Sequence, residues 1–161
     1  MEMKKLRELF LSLGFSQIST YINSGNVLFT TDKKTETILT LIRTGLDKAF
    51  SFVIPVVIRD EQSIAAIVKA VPSKWQNDAD QKTDVLFLWD EVDRKETLKE
   101  IIQNPDVDEL SYCPGAIVWH VDRKFYNKSG MHKFIGTRVY KHMTARNINT
   151  VRKLVELMNA E

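Results

Sequence analysis

The sequence predicts an α+β chain made of two related halves, and three observations carry that prediction. Helical and strand periods alternate along the 161 residues. Each half holds a tight glycine turn between two β-prone runs, and the apolar residues stand at the same offset from both turns, Asn-Val-Leu-Phe after Gly25 and Ala-Ile-Val-Trp after Gly115. At 43% hydrophobic content the chain can bury a core, while its apolar runs are far shorter than the roughly 20 residues of a membrane-spanning helix.

Each element has a local reason. Leu6, Leu9, Phe10 and Leu13 recur at helical spacing, with Gly14 where a left-handed cap sits, so a helix is expected over 4–13. Runs 18–22 and 27–31 are strands joined by Asn23-Ser24-Gly25-Asn26, a group suited to positive φ. Ile38, Leu41, Ile42 and Leu46 mark a second helix. Residues 52–59 read as a strand that Pro55 confines to an edge or bulge, and Ile64, Ile67, Val68 and Val71 mark a third helix that stops before Pro72. Residues 73–83 show neither period and read as a linker.

The run 84–89 is nearly all apolar, as in a strand covered on both faces. Leu98, Ile101 and Ile102 then share one side of a helix ending before Pro105, and 110–113 and 116–121 flank Pro114-Gly115, the pair favoured at the centre of a type II turn. The division expected is a first half over 1–72, the linker 73–83, and a second half over 84–161 with basic C-terminal helices. Strand, helix, strand, strand, helix in the second half, and the same without the opening strand in the first, fits a β-α-β-β-α-β arrangement of ferredoxin-like type.

Charge is distributed unevenly beneath a net value of +2. Residues 123–155 carry nine Lys or Arg and no Asp or Glu, whereas 78–109 carry eleven acids against four Lys or Arg. A one-sign field of that kind concentrates oppositely charged ligands and points to an anionic partner. Within it, Thr144 to Leu154 gathers polar donors about the start of an amphipathic helix, where free N–H groups and the dipole favour anions. Arg146, Asn147, Asn149 and Lys153 are the candidate anion ligands, with Lys128 and Lys133 widening the field and Asn23 and Ser24 as second-side contacts. The same residues also read as a capped helix with a solvated basic face.

Other chemistry is poorly supported. Ser24 lacks the glycines of a nucleophile elbow, and Asn127 to Lys133 lacks those of a phosphate-binding loop. His120, His132 and His142 stand twelve and ten residues apart, and the single Cys113 adds no ligand pair, so no metal site is expected and no cofactor is identified. A lone cysteine, and a charged start leading straight into an amphipathic pattern, predict a cytoplasmic protein without a membrane partner.

Thr20 to Phe29, preceded by Leu6-Arg7 and Leu13-Gly14-Phe15 and followed by Thr144-Ala145-Arg146-Asn147, Asn149-Thr150-Val151 and Lys153-Leu154, resemble the bacterial domain of unknown function 1697 family over essentially the whole chain. The resemblance implies two related α+β halves and no established activity. Members normally begin with a strand and a Leu-Arg-Gly-Ile-Asn-Val-Gly-Gly segment ahead of the first helix, so the chain looks like an N-terminally truncated member. Ile148 stands where the family often has Trp. Some members are labelled as similar to pyridoxamine-phosphate oxidases, but no flavin-binding pattern is present here.

The leading functional expectation is a protein that binds a phosphorylated small molecule, a nucleotide or RNA without established catalysis. An enzyme acting on phosphorylated or flavin-type substrates, with a histidine as base, is the alternative. A third reading is a homo-oligomerising interaction protein whose acidic middle meets its basic end.

Overall fold

The computed structural model describes residues 2–22 and 25–160, and the chain divides into two compact units, Met1–Ile58 and Arg59–Glu161. Helices and antiparallel sheet occur together in both, which establishes the α+β class.

The first unit contains α1 (Met3–Ser12), β1 (Ser16–Tyr21), β2 (Asn26–Thr30) and α2 (Thr35–Ala49). The chain folds back after α1 through bonds from Gly14 N to Leu11 O and Phe15 N to Phe10 O, the pattern of a Schellman cap. That reversal sets the Phe15 ring 5.7 Å from Phe10 and 4.5 Å from Phe29. The three rings sit in a core with Leu6, Ile18, Ile38, Ile42 and Leu46. β1 and β2 pair antiparallel with Ser19 opposite Leu28.

The strand expected over 52–59 does not form. Ile54, Val56 and Ile58 pack against the core, as their alternation requires, yet residues 51–57 make no backbone–backbone hydrogen bond among the described residues. Apolar alternation can select a buried face, but a ladder also needs an adjacent strand edge, and Pro55 has no N–H to offer one.

In the second unit, α3 (Glu61–Ala70) precedes a four-stranded antiparallel sheet of order β4-β5-β3-β6. Its strands are β3 (Gln81–Leu88), β4 (Glu109–Cys113), β5 (Ala116–Asp122) and β6 (Met143–Asn147), and α5 (Ile148–Asn159) follows. β3 lies inside the sheet, where Leu86 faces Ile117 on one side and Ala145 on the other. Leu86, Leu88, Ile117, Trp119, Val121 and Met143 turn one face toward Val92, Ile101, Met131 and Phe134. Alternation turns Val85 and Val118 to the opposite face, and α5 packs on β3 and β6 and against α3.

Four local readings are corrected here. The helix expected through Leu98 is instead two 3-10 segments, Asp90–Val92 and Lys95–Glu100, since its apolar residues span too few turns to sustain an α-helix. The supposed linker supplies the first residues of β3, and its Trp75 is buried, stacked on His120 with ring centres 4.9 Å apart. α3 groups with the second unit rather than with 1–72, and Arg59 ahead of it donates to Leu88 O and Gly115 O. Finally, Arg146 belongs to a strand that was not foreseen, and only Asn147 caps the helix, accepting from Thr150 N at 3.0 Å.

A two-stranded ribbon is marginal alone, whereas β3 is bonded on both edges. In hydrogen exchange, the bonded amides among 27–29 are expected to exchange at least about tenfold faster than those of Val85 and Leu86. Equal protection would show that the first unit's ribbon is held as firmly as the four-stranded sheet.

Candidate functional site

The connection from β5 to β6 lies within the acid-free stretch 123–155. It consists of a 3-10 segment Arg123–Lys128, the single turn α4 (Met131–Phe134) and a second 3-10 segment Val139–His142. Arg123, Lys124, Lys128, Lys133, Arg138 and Lys141 on it are all exposed. None of these six lies within ion-pair distance of a described carboxylate; the pairs formed by other residues are Lys82–Asp84, Arg94–Glu100, His120–Asp122 and Lys153–Glu156. Of the acidic middle of the chain, Asp78 acts on one of these cations, its pKa being lowered by the backbone bonds from Asp80 and Gln81 and then by the charge of Arg123. Arg123 also donates to Asp78 O and Asn77 Oδ1.

What fixes the connection is Asp108, whose side chain is buried beneath it. Its Oδ1 accepts from Ser129 Oγ at 2.6 Å and from Trp119 Nε1 at 2.9 Å, and its Oδ2 accepts from Asn104 N at 2.8 Å and Gly130 N at 2.9 Å. Burial works to raise this carboxyl's pKa, but the four donors outweigh it and the net direction is downward. Asn104 Nδ2 also donates to Lys128 O, and Ser129 Oγ accepts from Met131 N. Gly130 is required by close approach, since a Cβ there would lie 2.6 Å from Gln103 Cα and 2.7 Å from Ile102 O.

Aromatic rings are interleaved with the cations. Phe125 is half-buried against the core, and the ammonium groups of Lys124 and Lys128 stand 4.9 and 5.9 Å from its ring centre. Tyr126 meets His132 edge-on at 4.4 Å, and His132 Nε2 bonds to Tyr126 O at 2.9 Å. Because a carbonyl only accepts, Nε2 is the donor in this bond.

The structure distributes the residues picked out from the sequence over several places. Lys128 and Lys133 lie on the connection. Arg146 is half-buried and donates to Thr144 Oγ1 and Ala145 O. Burial lowers its pKa while Tyr140, at the end of the connection, acts the other way. Asn147 is engaged as the cap of α5, Asn149 Nδ2 donates to Asn77 O at 2.7 Å, and Lys153 contacts Glu156 at 2.6 Å. Asn23 and Ser24 lie outside the described residues. Sequence reasoning missed Asp108 and Phe125; the run Arg-Lys-Phe-Tyr-Asn-Lys at 123–128 was the visible signal for the latter.

Two further reactive side chains lie on strands, Cys113 on β4 and His120 on β5. His120 is buried against Thr83, whose hydroxyl donates to Gln76 O and so accepts from His120 Nδ1. Burial lowers the His120 pKa, opposed by Glu109 and Asp122, with Lys74 lowering it further. Burial and Asp93 raise that of Cys113, which disfavours a reactive thiolate. Among the described residues, no three His, Cys, Asp or Glu side chains are placed to hold a metal, and no helix is long and apolar enough to cross a membrane.

The profile of a protein family of unknown function, DUF1697, matches residues 1–119, and the chain belongs to that family. No curated protein matches it. Among solved structures it is similar to the conserved bacterial protein SP0830 from Streptococcus pneumoniae, with a TM-score of 0.84 at 23% identity over 98% of this chain and 89% of that one. At that identity the likeness establishes the fold alone.

Gly130→Ala is expected to lower unfolding stability by about 2 kcal/mol through the clash with 102–103. Gly136→Ala, whose Cβ would meet nothing closer than 3.8 Å, should stay within about 0.5 kcal/mol. Urea unfolding of both variants checks the difference, and similar effects would place the tight packing elsewhere.

Proposed function

We propose that this DUF1697 member binds a phosphate-bearing ligand, a nucleotide, sugar phosphate or RNA, on the β5–β6 connection. The observation that carries the reading is the set of six exposed cations in the acid-free connection, none paired with a described carboxylate. Surface charge of one sign raises the local concentration of anions, and ammonium and guanidinium groups bond phosphate oxygens with charge assistance. Asp108 supports this by fixing the backbone of 129–130, so less ordering is needed when a ligand arrives.

Arg146 flanks the surface through Tyr140 and supplies a further guanidinium, while Lys153 on α5 would have to exchange its pairing with Glu156 for a ligand oxygen. Asn147 and Asn149 shape the flank through the bonds they already make. The scaffold is read as ferredoxin-like, supported by the order β4-β5-β3-β6 with the unit's first strand inside. The lone Cys113 and a phosphate-bearing ligand accord with a cytoplasmic location.

Isothermal titration with tripolyphosphate at low salt tests the reading. The triple variant Lys124→Ala, Lys128→Ala, Lys133→Ala should bind at least about tenfold more weakly, with its thermal midpoint unchanged, because exposed charges contribute little to folding. Undiminished binding by the triple variant, or no binding by the native chain, overturns the assignment.

A further inference from the structure

Building on the phosphate-binding reading of the same connection, we infer that its ligand is a single-stranded nucleic acid, with Phe125 as the platform on which a base stacks. The Phe125 ring is half-buried, supported from within by the core and approached by the side chains of Lys124 and Lys128. Both lysines are exposed, and cation–π contacts in water are weak, so the ammonium groups can leave the ring for phosphates while a base takes their place. Every base has a π-face, and a ring flanked by cations is the arrangement that holds successive nucleotides of a strand.

The distribution of charge favours a strand over an isolated phosphate compound. Lys133, Arg138 and Lys141 continue from Lys124 and Lys128 across three short helical segments, so several phosphates are needed to use them. A duplex supplies phosphates as well, but its bases remain stacked on one another and cannot reach Phe125. An acidic protein segment supplies charge without planar bases. The platform is also rigid where it must be, because the residues following it are held by Asp108 through Ser129 and Gly130.

Fluorescence anisotropy of the full chain with a labelled oligouridylate about 12 nucleotides long tests this, beside a duplex of equal length, tripolyphosphate and polyglutamate. The single strand should bind tightest, with a slope of log affinity on log salt of about −2 or steeper for three or more neutralised phosphates. Phe125→Leu, which keeps every charge and an apolar side chain on the core, should weaken the strand about tenfold, while Phe125→Tyr retains binding and neither alters tripolyphosphate. A 2-aminopurine placed in the strand should lose fluorescence on binding to the native chain, a readout that does not depend on any variant folding. An unquenched 2-aminopurine, an unaffected Phe125→Leu variant, or equal binding of duplex or polyglutamate overturns the nucleic-acid assignment and leaves the anion surface standing. Failure of the native chain to bind any of the four anions overturns both.

Discussion

Asp108 is the constraint on which the β5–β6 connection of the second unit depends. A buried carboxylate is costly unless its charge is compensated, and here no Lys or Arg among the described residues pairs with it. Compensation comes from four hydrogen bonds, two from backbone N–H groups at 104 and 130, one from the Trp119 indole and one from the Ser129 hydroxyl. These donors come from the loop before β4, from β5 and from the β5–β6 connection just ahead of α4. One anion thus joins three segments that no hydrophobic contact could register so closely. It follows that Gly130 can have no side chain, and that the cations ahead of and behind it are presented from a fixed backbone.

The two units solve the problem of backbone satisfaction differently. In the second, β3 is bonded along both edges and covered on both faces, which explains its unbroken apolar sequence from Val85 to Leu88. In the first, the ribbon of β1 and β2 is covered by α1 and α2, and 51–57 contributes apolar side chains without a ladder. Phe52 and Val53 remain exposed at 56% and 83%.

Much of this was legible from local pattern. α1, α2, α3 and α5 each carry an apolar stripe, α1 and α3 a stop signal as well, and both hairpins are announced by glycines that take positive φ, 87° at Gly25 and 91° at Gly115. What escaped was set by distant partners. β6 is Met-Thr-Ala-Arg-Asn, which has almost no strand preference and becomes a strand because β3 offers it an edge. Residues 52–57 have the preference, yet make no backbone ladder among the described residues. Arg146 therefore sits on a strand rather than at a helix start. Of the candidate site, the excess of basic residues was visible, and Lys128 and Lys133 do lie exposed on the β5–β6 connection. Asp108 was hidden among eleven acids of the same stretch, since nothing in the sequence links it to Ser129, 21 residues away.

Asp108→Asn tests the clamp most directly, because the substitution preserves shape and inverts one bonding role. The amide NH2 would face the N–H groups of Asn104 and Gly130 or the Trp119 and Ser129 donors, whichever way it is turned. Since the carboxyl's pKa is lowered in the folded state, its contribution is complete above the unfolded value of about 3.9 and is lost as pH falls through the folded value. Urea unfolding near neutral pH should show a loss of about 3 kcal/mol for the variant, narrowing toward the native chain as pH drops below about 4. A variant within about 0.5 kcal/mol of the native chain at neutral pH, or a difference that does not change in acid, contradicts the central role given to this carboxylate.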